Sequence, residues 1–272
     1  MTNQRKNIFT AIFLLFIIGA VLSYVYSDLK KSTSTSATFE QKDIEAGPIT
    51  LGDGSTGDYK ITVVPSEETK TSVASAKIPD LNRPVTNNNR LDEAAFNTVS
   101  QKIEEITKKL KDDPKDELNW LNLGIYRKML GDFEGAVSIL NFVAVSWPSD
   151  YTPYNNLADL YQYYIKEYSL AEKNWLKVIE LKPDYAQAYE NLYGLYVSQY
   201  TEKQREALPI LLKGVKNNPK SVELLIYVAR HYRSSKDVAN ANIFYEKAMW
   251  QAKLDGNQQI VESIKLEASE VK

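Results

Sequence analysis

Few residues in this chain could do chemistry. Histidine occurs once, at His231, and cysteine is absent, which excludes thiolate nucleophiles, disulfides and thiolate metal sites. His231 has no metal-binding companion, and its place near the end of an expected helix gives it a structural role. Gly52-x-Gly54-x-x-Gly57 imitates a dinucleotide fingerprint, but no helix opens there and no strand–helix–strand unit surrounds it. Asp53 and Asp58 bracket a turn that lacks the ligand spacing and closing Glu of a calcium loop. The expectation is therefore no catalytic residue, no metal, no cofactor and no small-molecule substrate. Lys and Arg number 33 against 35 Asp and Glu, a net charge of −2, and they are spread along the chain, so no basic face for nucleic acid is expected.

What does recur is a set of polar residues in register. Asn122, Asn156 and Asn191 each stand two places after a large residue (Trp120, Tyr154, Tyr189), and Tyr227 stands two after Leu225. An amide donates and accepts at once, so it can pair with both polar groups of a peptide unit. A fixed register demands a repeated element to carry it. The stretch Trp120–Pro148 supplies the pattern: Trp120, Leu123 and Gly124 open it, Gly131-Asp132 breaks it, Ala136, Leu140 and Val143 resume it, and Pro148 closes it. Prolines 114, 148, 183 and 219 follow one another at 34, 35 and 36 residues. Such a period predicts stacked helical hairpins, an all-α solenoid. The second unit runs Tyr154, Leu157, Ala158, Tyr161, Ala171, Trp175, Val178, Pro183. The third runs Tyr189, Leu192, Tyr196, Ala207, Leu211, Gly214, Pro219, and the fourth Leu225, Val228, Ala229, Tyr232, Ala241, Tyr245, Ala248.

These units resemble the tetratricopeptide repeat, with its W-x2-L-G-x2-Y, A-x3-F and P signature, over about residues 91–254. The resemblance implies about four repeats (117–150, 151–185, 186–221, 222–254) whose first helices line a concave groove for an extended peptide or partner protein. It also implies that Asn122, Asn156 and Asn191 grip a ligand backbone there. Tyr227, Asp159, Tyr163, Glu190 and Arg230, together with Arg233, add a mixed-charge, aromatic wall. Some members of the family clamp a C-terminal carboxylate with basic residues. Here Leu121, Ile125, Gln187 and Asn191 replace four of those five positions and only Asn156 matches, so that ligand is not expected. The first repeat instead presents an apolar inner wall, Leu118, Leu121, Ile125 and Met129, and the extended stretch with Ile78, Leu81 and Val85 is expected to cover it. Three local departures carry expectations of their own. Tyr193 stands where a small residue belongs, so its helix pair should splay or shift. The turns near Lys166 and Thr201 hold one and two extra residues.

Flanking segments complete the organisation. A helix from Leu91, with the stripe Phe96, Val99, Ile103, Ile106 and Leu110, forms an N-terminal half-repeat, and Gln258–Val271 forms a C-terminal cap, closing a domain at 91–271. Upstream, a short cytoplasmic head (1–7) precedes Ile8–Tyr26, 19 residues without a charge, close to the roughly 20 that span a bilayer as a helix. This is expected to be a transmembrane signal anchor, with cleavage after a signal peptide as the other reading. Arg5 and Lys6 before it and the bulk after it place the C-terminal domain outside the cytoplasm. Residues 27–90 have the composition of a stalk, with room for a small hairpin around Ile49–Val64. Two function classes follow: a membrane-tethered protein-interaction module, or an assembly component of a cell-envelope complex that uses its convex face or caps.

Overall fold

A computed structural model describes residues 77–89 and 91–271. The expected apolar span 8–26 and the hairpin expected near 49–64 lie outside the described residues. Within them the structure is all-helical: α1 (Glu93–Asp112), α2 (Glu117–Met129), α3 (Phe133–Ser146), α4 (Thr152–Asp159), α5 (Tyr168–Leu181), α6 (Ala186–Ser198), α7 (Ala207–Asn217), α8 (Val222–Ser234), α9 (Val238–Leu254) and α10 (Gln258–Ser269). Side-chain caps start six of the ten helices. Asp92, Asp116, Asp132, Ser221, Asp237 and Asn257 each accept a backbone amide from the first turn of the helix they precede, satisfying donors that have no partner within the helix.

The helices pair as α2–α3, α4–α5, α6–α7 and α8–α9, and each touches chiefly its neighbours in sequence, which is the contact pattern of a solenoid. Small residues make the pairs close. Ala136, Ala158, Ala171, Ala207, Ala229 and Ala241 are all fully buried. A Cβ on Gly124 would stand 3.1 Å from Leu140 Cγ, and one on Gly214 would stand 2.9 Å from Tyr189 Cγ. The opening aromatics have a polar task as well. Trp120 Nε1 donates to the carbonyl of Pro114 at 3.0 Å, and Tyr189 Oη donates to that of Pro183 at 2.9 Å. In these two units the closing proline thus accepts from the opening ring of the next, which satisfies the polar tip of a buried aromatic; Tyr154 instead donates to the Ala144 carbonyl at 3.1 Å.

The two longer units absorb their extra residues in different ways. After α4 the chain continues as a π-helical turn, Leu160–Ile165, which ends on Lys166 at φ 65°. A π turn takes one more residue than an α turn, so the surplus is spent inside the first helix of that hairpin. In the next unit a 3₁₀ turn, Thr201–Glu206, is spliced ahead of α7. Tyr193 lies on the side of α6 that meets the following repeat. α6 buries Ala188, Tyr189, Leu192, Leu195 and Tyr196, and Tyr193 turns to the following repeat, its ring 5.8 Å from those of Tyr227 and His231.

Residues 77–89 form a strap on the first hairpin, but not where its apolar residues were expected to put it. Ile78 is 56% exposed and Val85 36%; only Leu81 packs against the core, beside buried Pro79. The strap is held by polar bonds at the α2–α3 turn. Asn88 and Asn89 donate their amides to the Leu130 carbonyl at 2.9 and 3.1 Å, and Asn89 Nδ2 donates to Met129 O at 2.9 Å. Arg127, 2% exposed, donates Nη1 to Pro84 O (2.5 Å) and Nη2 to Arg83 O (2.6 Å). Arg83 donates Nε and Nη2 to the two carboxylate oxygens of Asp132, both at 2.8 Å, a bidentate pair. Gly131, at φ +76°, makes the turn possible, and a Cβ there would also stand 2.6 Å from Asn89 Oδ1.

The apolar inner wall of the first repeat is consequently not an open trough that the strap fills. Leu121 is 8% exposed and shares a core cluster with Val99, Ile103, Ile106 and Leu110 of α1; Met129 packs on that cluster, Ile125 is half-buried, and Leu118 remains 46% exposed. The half-repeat α1 does the covering. A second cluster, from Ala158 to Ile264, holds the later repeats and the cap, where Val261 and Ile264 are the buried residues of α10. Tyr161 touches both clusters.

Candidate functional site

The first helices of the hairpins, α2, α4 with its π turn, α6 and α8, carry every residue expected to line the groove. Asn122, Asn156 and Asn191 are all half-buried. Asn156 Nδ2 donates to Thr152 O one turn back at 2.9 Å, and Asn191 Oδ1 accepts from Gln187 Nε2 at 3.2 Å. Two of the three amides therefore bond within their own helices, with the Oδ1 of Asn156 and the Nδ2 of Asn191 outside those bonds.

The middle and later repeats bring a tyrosine cluster together with carboxylates. Tyr163 is 50% exposed; its hydroxyl pKa is raised by burial and by the charges of Asp159 and Tyr227. Tyr193, which the register marked as oversized but did not place in the groove wall, packs edge-on to Tyr227 and lies 3.4 Å from His231 Nδ1 through its hydroxyl. Burial lowers the His231 pKa, so the imidazole is neutral at neutral pH and serves as a packing and hydrogen-bonding wall. Glu190 is pushed up to about 7, first by burial and then by the charge of Glu223, against a smaller opposing hydrogen bond from Gln187. Glu223, at the start of α8, is the second group the sequence reading missed; its hydroxyl neighbour Ser221 is 3.4 Å away.

Ion pairing sorts these charges. Lys128 bonds Asp159 across the first two repeats and also lies 5.1 Å from the ring centre of Tyr164. Arg230, expected to face a ligand, makes a bidentate pair with Glu267 of the capping helix α10, which holds its guanidinium pKa up. Arg233 stands 3.6 Å from Glu270. The cations of these inner helices are thus neutralised within the protein, whereas Glu190 and Glu223 belong to none of the ion pairs found among the described residues. Among those residues no group of three or more His, Cys, Asp or Glu is arranged to hold a metal ion.

The missed clasp of Arg127 and Asp132 had a signal. Read in register, Arg127 occupies the place of Tyr161, Tyr196 and Tyr232 in the other repeats. A guanidinium where the siblings bury a phenol marks a position that must answer buried acceptors, here two strap carbonyls and Asp132.

No known family profile and no curated protein matches the chain. Among solved structures it is similar to MamA (20% identity, 60% of this chain and 94% of that one, TM-score 0.49). It is also similar to PilF of Pseudomonas aeruginosa (17%, 64% and 84%, TM-score 0.46). A third is YrrB, described as a TPR protein with an unusual peptide-binding site (16%, 61% and 92%, TM-score 0.42). The repeat architecture rests on the packing above rather than on these likenesses: helical hairpins stacked in sequence, with small residues at the close approaches and two opening rings bonded to the preceding proline carbonyls.

Proposed function

We propose that the chain is a membrane-tethered interaction module whose concave groove binds an extended, basic segment of a partner protein. The observation that carries this reading is the charge left over in the groove. Lys128, Arg230 and Arg233 are paired internally, while Glu190 and Glu223, close enough for the charge of Glu223 to raise the Glu190 pKa, take part in none of the ion pairs among the described residues. Tyr193 and Tyr227 follow them by three and four residues on the same helices, ring to ring, and Tyr163 is half exposed. A Lys or Arg side chain entering there gains both carboxylate and ring contacts. Asn122, Asn156 and Asn191 supply amides for the backbone of the same segment. Tethering is supported by the uncharged stretch Ile8–Tyr26 behind Arg5 and Lys6, an arrangement that also favours an extracytoplasmic domain. No helix among the described residues is long and apolar enough to cross a membrane.

The test is a photo-reactive phenylalanine in place of Tyr163 in the full chain, irradiated in intact cells. The expected product joins the groove to a Lys- or Arg-rich segment of one partner, and it is lost when Asn122, Asn156 and Asn191 are all changed to Ala. Products that persist in that triple variant, or that carry acidic segments, overturn the reading. The second class, an assembly component working through its outer face, draws on a separate surface.

A further inference from the structure

The last hairpin presents an apolar stripe that the groove does not use. On α9, Ile243 is 46% exposed, Trp250 62% and Leu254 60%. They are spaced by seven and four residues, so they share one face of the helix. The other faces are spent on packing, through Ala241, Phe244, Tyr245, Ala248 and Ala252, against α8 and α10. A large aromatic left this bare is the residue type most enriched among interface anchors.

Charges punctuate the stripe in a definite order. Glu246, Lys247, Met249, Trp250 and Lys253 line an open depression of about 450 Å³. Lys247 is occupied by its own chain, with Nζ 4.7 Å from the Phe244 ring centre. Glu246 and Lys253 take part in none of the ion pairs among the described residues. Lys253 exerts a weak pull on Glu262 of α10, whose direct partner is Lys265 at 2.8 Å. Read from the N-terminal end, the stripe runs apolar, acid, tryptophan, base, apolar. Read backwards it runs the same way with the charges exchanged.

We propose that this face pairs with its own counterpart on a second copy of the chain, α9 against α9, antiparallel about a two-fold axis near Trp250. In that register Ile243 meets Leu254 of the second copy, Glu246 meets Lys253, and each Trp250 enters the depression beside the other. A two-fold contact must be self-complementary in this way. A parallel pairing sets Glu246 against Glu246 and Lys253 against Lys253, which repel. One helix of 17 residues is about 25 Å long, too little for a standard interface of roughly 800 Å² per partner, so the pair is weak and reversible. The inference is independent of the groove.

The chain has no cysteine, which makes crosslinking direct. Two differently tagged copies of the full chain, one carrying Glu246→Cys and the other Lys253→Cys, are made together and oxidised in intact cells. The expected result is a mixed disulfide between the tags. Pairs of Glu246→Cys with itself, or of Lys253→Cys with itself, should give at least fivefold less, because their sites are offset by seven residues, about 10 Å along the helix. Adding Trp250→Ala should cut the mixed product at least fivefold and Trp250→Phe should keep most of it, while melting of the chain stays unchanged. No mixed product, equal same-site products, a yield indifferent to Trp250→Ala, or a crosslink to a protein of another mass each overturns the proposal.

Discussion

Asp132 is the position whose loss tells most about the first hairpin. Its carboxylate accepts from Arg83, from Arg127 and from the Gly135 amide at 3.0 Å, so it caps α3 and neutralises a buried guanidinium at once. The Arg127 and Asp132 side chains are 2% and 7% exposed, a pair shielded from solvent. Breaking a buried pair from one side costs about 3–5 kcal/mol, but Arg127 would keep its two strap carbonyls, so a charge contribution of about 2 kcal/mol is the reasonable figure. Loss of the cap adds about 1 kcal/mol. Asp132→Ala should therefore cost about 3 kcal/mol of a total stability on the order of 5–15 kcal/mol. Asp132→Asn, which retains the cap, should cost about 2 kcal/mol. A solenoid opens locally, so the assay is hydrogen exchange in the full chain alongside urea unfolding. The Asn88 and Asn89 amides, bonded to Leu130 O, should lose protection in Asp132→Ala before the later repeats do. Adding Arg127→Met to Asp132→Ala should cost less than the sum of the two single changes, since the charge left without a partner is then gone. Unchanged exchange at these two amides, or a double variant worse than the sum of the singles, would refute the clasp. Acid should act the same way. Burial alone would raise the Asp132 pKa, yet the Arg83 bond, the Gly135 amide and the neighbouring charges hold it below the usual value. A depressed carboxylate gives stability that is present above its unfolded pKa and lost as pH falls through the folded one.

Other expectations are narrower. Glu190 titrates near 7 instead of 4.5; a raised carboxylate favours its neutral form in the fold, so its contribution to stability falls as pH rises from 4.5 towards 7. A cationic peptide needs the ionised form, so its affinity, read by calorimetry, should rise through that window and lose this dependence in Glu190→Gln. Gly214→Ala would place a Cβ 2.9 Å from the buried Tyr189 ring and should destabilise by about 1–3 kcal/mol. Gly194→Ala, in a helix with nothing within 4 Å, should be stabilising by up to about 1 kcal/mol; equal melting shifts for the two would contradict the packing. Lys166 sits at φ 65°, and Lys166→Gly should stabilise by about 1 kcal/mol or less, read as a higher melting temperature.

The repeat was legible because its signal is redundant. Trp120, Gly124, Ala136, Ala158, Ala171, Trp175 and Ala207 each mark a close or filled place, and all of these positions are buried. The strap was legible only as an extended stretch. Its apolar residues pointed to the inner wall, whereas Arg83, Asn88 and Asn89 fix it to a turn, and polar side chains in a strap say nothing in sequence about which distant carbonyl they will meet. The places of the site residues in the helices were legible, their partners less so. Register places Asp159, Tyr163, Glu190 and Tyr227 on inner helices, but it does not show that Glu267, on the cap, occupies Arg230. Nor does it show that Tyr193 would leave the hairpin for the next repeat. Both are tertiary contacts, a capping helix brought against α8 and a ring set against the next repeat, which no local motif encodes.

The clasp at Asp132 also decides how the molecule would answer a pull. An array whose units hold only their neighbours peels from its end, one hairpin after another, when tension enters through a terminus. Here α1 would be the first piece to go, since it joins the array on one side only. Because the strap precedes α1 in the chain yet is bonded to the far end of α2, force arriving from upstream of residue 77 bypasses α1. It reaches the α2–α3 turn, where two guanidinium groups and two asparagines must give way together. The half-repeat is thereby enclosed in a loop that the clasp shields from most of the load, its exposed Lys111–Asn82 bond aside.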